Sequence, residues 1–208
     1  VSEGRGEGGG VHSRDEVEVV RVGQGEVHVA GVRALHPLGH PGEPLDVAYG
    51  VPFGDTTATV LASVDTTTNS LRLFTMDGAK LSEVGARPIP LGFAAEGVCL
   101  YRHALDNSLH AFIVGHGGGG EQQILFSTPD GKLDSRQVRR INVPSPLKQC
   151  VADAHGHVYA SEETVGSWRF NADPEADVSA RLVDAPRLGH IEEEVGGGVL
   201  AAQGDLVA

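Results

Sequence analysis

The chain has 208 residues, 40% of them apolar but only 5% aromatic, and its 29 glycines and 11 prolines make up about a fifth of the whole. That length suits one large domain or two small ones, and the turn-rich composition points away from long helices. A net charge of −12 and a pI near 5.2 exclude the basic surface that a nucleic-acid binder needs, and no run approaches the roughly 18 apolar residues of a membrane-spanning helix.

In chain order, residues 1–16 (VSEGRGEGGGVHSRDE) are Gly-rich and charged and read as a flexible leader. The chain begins at Val1 rather than Met, which reads as a removed N-terminal segment or a piece of something larger. Val17 to Val22 and Glu26 to Leu35 then form a hairpin turned by Gly23-Gln24-Gly25. Four short strands follow at Leu45–Phe53, Ala58–Val64, Ser70–Met76 and Lys80–Val84, separated by GDTT, DTTTN and MDGA turns. A second set occupies Glu96–Leu105, Leu109–Gly115, Glu121–Ser127 and Gln137–Val143. A third occupies Gln149–Ala154, Val158–Ser161, Gly166–Asn171 and Arg181–Asp184, and Val195–Gln203 opens a fourth.

The units begin near 45, 96, 149 and 195, a spacing of about 50 residues, and MDGAKL at 76–81 is echoed by PDGKL at 129–133. Four strands at that period are the signature of propeller blades. The expected fold is therefore all-β, an incomplete β-propeller of about three and a half to four blades over residues 17–208. Unclosed edges of such a ring call for a covering partner. Cys99 and Cys150 do not make a disulfide framework. Each falls in an apolar strand pattern, so both are expected as buried small hydrophobes.

Several phrases occur in a recognisable order. They are DVAYGVPF at 46–53, GARPIPLG at 85–92, EGVCLYR at 96–102, SEETVGSWRF at 161–170, Ala172-Asp173-Pro174, Leu188-Gly189-His190 and LAAQGD at 200–205. As an ordered set, over roughly residues 39–206, they resemble the β-propeller phytases. The resemblance implies a six-bladed parent fold, calcium held by carboxylates and backbone carbonyls in a top cleft, and phosphate release from myo-inositol hexakisphosphate by metal-assisted hydrolysis. It also implies a secreted or periplasmic protein. Carried over position by position, Asp46, Glu162, Glu163 and Glu194 stand where metal-binding carboxylates belong, with Glu163 the residue to orient the attacking water.

The departures are as specific. The family's early motif, two aspartates followed by Pro-Ala and an aliphatic-Trp pair, is absent from the chain, and its paired asparagines are Glu43-Pro44. An expected arginine is Asp65, a tyrosine is Glu96, a lysine and glutamate are His116 and Gly117, a glutamate is Lys148, and an acidic position near the end is Gly196. Two phosphate-gripping cations are thus missing, leaving His116 and Lys148 as substrate-binding replacements. The implied site is an eroded one. Two functions follow: calcium-dependent hydrolysis of phytate or other inositol phosphates, or a non-catalytic accessory domain that binds substrate or docks on a second propeller in the same protein.

Plainer readings stand beside these. Glu162 and Glu163 are adjacent on a strand and point to opposite faces, as at any solvated strand end. Glu192 to Glu194 read equally as a charged turn, Trp168 as a core residue, and Gly117–Gly120 as a loose hairpin loop rather than a phosphate cradle. The ten histidines are scattered, and even the His155-Gly156-His157 pair lies in a turn, which does not favour zinc.

Overall fold

The computed structural model describes residues 44–191, apart from 79, 163, 188 and 190, together with the backbone of 17–18, 33–34, 199–200 and 206–207. The hairpin expected near the start is represented by β1 (Val17–Glu18) and β2 (Arg33–Ala34), which pair antiparallel with Val17 opposite Ala34. The leader, and the residues between these two strands, lie outside the described residues. No α-helix occurs among the described residues, and no helix there is long and apolar enough to cross a membrane.

Three four-stranded antiparallel meanders form the body. Blade 1 is β3 (Leu45–Phe53), β4 (Thr56–Asp65), β5 (Ser70–Asp77) and β6 (Lys80–Glu83), and the free half of β5 is covered by β7 (Ile89–Pro90). Blade 2 is β8 (Ala95–Arg102), β9 (Leu109–Gly115), β10 (Gly119–Ser127) and β11 (Leu133–Asn142). Blade 3 is β12 (Leu147–Ala152), β13 (His157–Glu162), β14 (Gly166–Asn171) and β15 (Arg181–Asp184). A last pair, β16 (Val199–Leu200) with β17 (Leu206–Val207), represents the fourth unit. The chain is a partial β-propeller.

Blade 2 is sandwiched. Every residue of β9 is buried, and the two-residue period of a strand divides them between two cores. Leu109, Ala111 and Ile113 join Val98, Leu100, Val60, Ala62, Leu71 and Leu73 in an aliphatic cluster against blade 1. Phe112 and Val114 join Tyr101, Ile141, Leu147, Val158 and Phe170 in a second cluster against blade 3. Each innermost strand carries a bulge against its neighbour, at Ala48/Val51, Ala95/Gly97 and Leu147/Cys150.

The interface of blades 2 and 3 is stitched by more than apolar contact. Gln122, fully buried, donates through Nε2 to the Ala172 carbonyl at 2.8 Å and to His110 Nδ1 at 3.1 Å, and accepts from Arg139 Nε at 2.6 Å. With Nδ1 accepting, His110 donates through Nε2 to Ser108 Oγ at 2.9 Å, and Ser108 donates onward to Asp106 at 2.7 Å. Burial, reinforced by the charge of His103, pushes the His110 imidazole down to about 4.

The two cysteines are not separate hydrophobes. Cys99 on β8 and Cys150 on β12 form a disulfide with Cα atoms 5.7 Å apart, and no free cysteine remains. The physical reason lies in the repeat: a separation of 51 residues is one blade, so the two occupy matching positions on innermost strands that run side by side. Gly97 permits that approach. A Cβ there would sit 2.8 Å from Val114 Cγ2 and 2.9 Å from both Gln149 Cα and the Lys148 carbonyl oxygen.

Candidate functional site

In an antiparallel meander, the start of the first strand and the end of the second share one end of the blade. That rule gathers the starts of β3, β8 and β12 and the ends of β4, β9 and β13 at one end. Asp46, Asp65, Glu96, His116, Lys148 and Glu162 all come from these positions.

Asp46 lies deepest. Its Oδ1 accepts the Val47 N–H and its Oδ2 accepts the Leu100 N–H across the blade interface, each at 2.7 Å. Burial pushes its carboxyl up to about 6 against the pull of these two amides. Asp46 therefore clamps β3 to β8. Glu162 is fully buried and accepts from the Ser145 N–H at 2.8 Å, the Ser145 hydroxyl and Trp168 Nε1. It ties the connection entering blade 3 to β13 and β14. Trp168 packs on the second core, as its strand position suggested. Glu163 and Glu194 lie outside the described residues.

Among the described residues, no three His, Cys, Asp or Glu side chains converge to hold a metal ion. Asp46 and Glu162 are both engaged by protein donors, so the described donor set does not by itself fit a calcium cage. Asp65, which stands where an arginine was expected, is engaged by its own turn and by Arg72. Its Oδ1 accepts the Thr67 and Thr68 N–H groups at 2.9 and 3.0 Å, and Arg72 stands 4.0 Å from Oδ2. The Thr68 amide in particular holds its carboxyl below the usual range.

Glu96, His116 and Lys148 meet where blades 2 and 3 adjoin. One carboxylate oxygen of Glu96 contacts His116 Nε2, and the other lies 2.8 Å from Lys148 Nζ. His116 projects from a single 3₁₀ turn, His116–Gly118, that joins β9 to β10. The glycine run is a defined turn rather than a loose loop. Gly118, at φ 68°, packs so closely on Val143 that a side chain would collide with it, and its carbonyl accepts the Val143 N–H at 2.8 Å. Lys148 is set by β12 beside Gly97. The structure thus brings both residues expected to bind substrate, His116 and Lys148, to one point, on the glutamate that stands where a tyrosine was expected. What the sequence reading missed was this pairing, together with the Ser145 and Trp168 donors on Glu162.

A model of the Phytase family matches residues 36–205. A 3-phytase of Bacillus subtilis (strain 168) is 24% identical over 161 residues, covering 74% of this chain and 42% of that relative. The chain therefore spans less than half the length of this relative. Three repeated four-stranded blades, an ordered set of motif phrases and a family match across most of the sequence converge on one conclusion: the chain belongs to the phytase family.

Proposed function

We propose that this domain binds phytate or other inositol phosphates where blades 2 and 3 adjoin, as a substrate-binding or accessory module of the phytase lineage. The observation that carries the reading is the meeting of His116 and Lys148 on Glu96. A lysine presents a compact cation to phosphate, and a histidine adds a second when protonated. The two candidate carboxylates described, Asp46 and Glu162, serve as clamps within the fold, which supports an eroded hydrolytic centre. A second propeller in the same protein is the catalytic partner this reading calls for. The disulfide supports maturation in an oxidising compartment, either secreted or periplasmic.

A second reading, calcium-dependent phosphate release by the chain itself, is favoured by the likeness to a 3-phytase. It would draw its metal-binding carboxylates from Glu163 and Glu194 as well as Asp46 and Glu162, with Glu163 orienting the water.

One experiment separates the two. The purified chain is titrated calorimetrically with phytate, and phosphate release is followed with excess calcium and with chelator. The binding reading expects saturable binding, weakened about tenfold in Lys148→Met, with no release in either buffer. Calcium-dependent release that disappears in Glu163→Ala would establish hydrolysis instead. Absence of both binding and release overturns both.

A further inference from the structure

Blades 2 and 3 share a buried polar chain in which each donor and acceptor is fixed by its neighbours. The Ala172 carbonyl can only accept and the Arg139 guanidinium can only donate. The Gln122 amide therefore has one orientation, with Nε2 on Ala172 at 2.8 Å and Oε1 on Arg139 Nε at 2.6 Å. The same Nε2 lies 3.1 Å from His110 Nδ1, which must be the unprotonated nitrogen of the ring. Arg139 reaches further, to the Asn171 carbonyl and, at 3.3 Å, to the Ala176 carbonyl. Residues 171–176 otherwise close on themselves. The Asp173 N–H donates to Asn171 Oδ1, the Glu175 N–H to Asp173 Oδ1 and the Ala176 N–H to the Asp173 carbonyl. Among the described residues, the hydrogen bonds that join this turn to blade 2 come from Gln122 and Arg139.

We propose that this chain is an acid-operated latch: with His110 neutral it fastens the 171–176 turn of blade 3 to blade 2, and a proton on Nδ1 unfastens that turn while the rest of the interface holds. A proton there sets an N–H against the Gln122 NH2 group. Turning the amide over gives His110 an acceptor, but it sets Oε1 against the Ala172 carbonyl and the NH2 group against the Arg139 N–H. Two bonds are then lost for one gained. No arrangement satisfies all four groups, and His110 and Gln122 are too buried for water to take over. The part free to yield lies beyond Ala172, where the chain runs out into the exposed residues 177–180. Ala172 itself stays in the second apolar cluster, and the disulfide spans the same interface. The ring faces Tyr101 and His103, each with its centroid 6.3 Å away, together with Asp106, Arg139 and Asp173. Burial above all, then His103 when charged and Arg139, resists the proton. Asp106 and Asp173 draw it, and the balance brings the ring to about 4. His110 opens β9 and His116 follows its other end, so the latch is remote from Glu96 and independent of the phosphate reading.

The test is NMR on the full chain as the pH is lowered from neutral through the titration of His110. Imidazole nitrogen shifts report the proton on Nδ1, and backbone relaxation reports the order of residues 173–176. Their order parameters are expected to fall from about 0.85 to below about 0.6, in step with that proton, while β9 stays rigid. Asp46, on the other face of blade 2, titrates nearer 6, so the two events separate along the pH axis. In His110→Asn, Oδ1 takes the place of Nδ1 as an acceptor that does not titrate, and the turn is expected to stay ordered throughout. Gln122→Met is expected to leave the turn mobile already at neutral pH. Melting curves show which variants fold, and where His110→Asn melts early the coincidence of the two midpoints in the unsubstituted chain decides. A turn that stays ordered after His110 is protonated overturns the proposal. So does order lost while the ring is still neutral, lost equally in His110→Asn, or lost together with that of β9.

Discussion

The two faces of blade 2 are closed by different means. Towards blade 1 the contact is a broad aliphatic cluster in which Val60, Ala62, Val64, Leu71, Leu73, Ala111 and Ile113 are fully buried, joined by carboxylate contacts from Asp46 to the Leu100 N–H and from Asp134 to Arg87. Towards blade 3 the apolar cluster is smaller and more aromatic. It is supplemented by a covalent bond, a buried Gln122–His110–Arg139 network and the Glu162 clamp. Apolar burial scales with area and needs no particular geometry. Buried polar networks hold only while every member is satisfied. The interface with blade 3 should therefore be sensitive to redox state, and the interface with blade 1 insensitive to it, while each carries one shifted group, His110 or Asp46, that titrates in mild acid.

The largest expected effect is on the disulfide. Closing a loop of 51 residues contributes about 4 kcal/mol in the chain-entropy description. Reduction, or Cys99→Ala with Cys150→Ala, should lower the melting temperature by on the order of 10 °C for a domain of this size. A thermal melt with and without reductant measures this, and an unchanged melt would show that blade 3 is held by its other contacts alone.

Next comes Leu73→Ala on the opposite interface. A fully buried leucine cut to alanine costs about 3 kcal/mol through lost transfer energy and the cavity left behind. In urea unfolding, this loss should be the same with and without reductant, and should add to that of the disulfide within about 0.5 kcal/mol. Non-additivity would mean that the two faces of blade 2 are coupled through β9.

The smallest effect concerns His110. Its folded-state value is about 4, below the ordinary 6.5. The neutral ring is thus favoured by the fold, and protonation would turn an N–H towards the Gln122 amide, which is already donating. A histidine depressed in this way contributes stability that is present above about 6.5 and lost as pH falls through about 4. After discounting for solvent screening near the end of the sheet, that contribution is about 2 kcal/mol. Urea midpoints at pH 7 and pH 4 should fall further in the unsubstituted chain than in His110→Gln. Equal falls would place the acid sensitivity elsewhere.

Much of the fold was legible because each blade repeats the same local physics. Strands 109–115, 166–171 and 181–184 fall where alternation and turn residues put them. The strand expected from Gln137 starts at Leu133 instead, because the turn leucine is itself buried and pairs with Ser127. The disulfide was hidden because two cysteines carry no pattern by themselves. It becomes readable only when their separation is measured against the blade period. At the site, position alone could bring His116 and Lys148 to one end of the blades. It could not show that the bulge at Glu96 points a carboxylate at them, nor that Glu162 would be taken up by Ser145 and Trp168. Those depend on the pleat being broken at one residue and on contacts between segments distant in sequence.

The disulfide also bears on damage to the chain. Leu105, 88% exposed, stands in the turn between β8 and β9, inside the loop that Cys99 and Cys150 close. A protease cutting there would sever the backbone without releasing a fragment. The pieces would stay joined between blades 2 and 3, and β8 would remain held to β12. Under oxidising conditions, backbone scission anywhere from 100 to 149 is a scar rather than a loss, and becomes a separation only when the sulfur bridge is reduced.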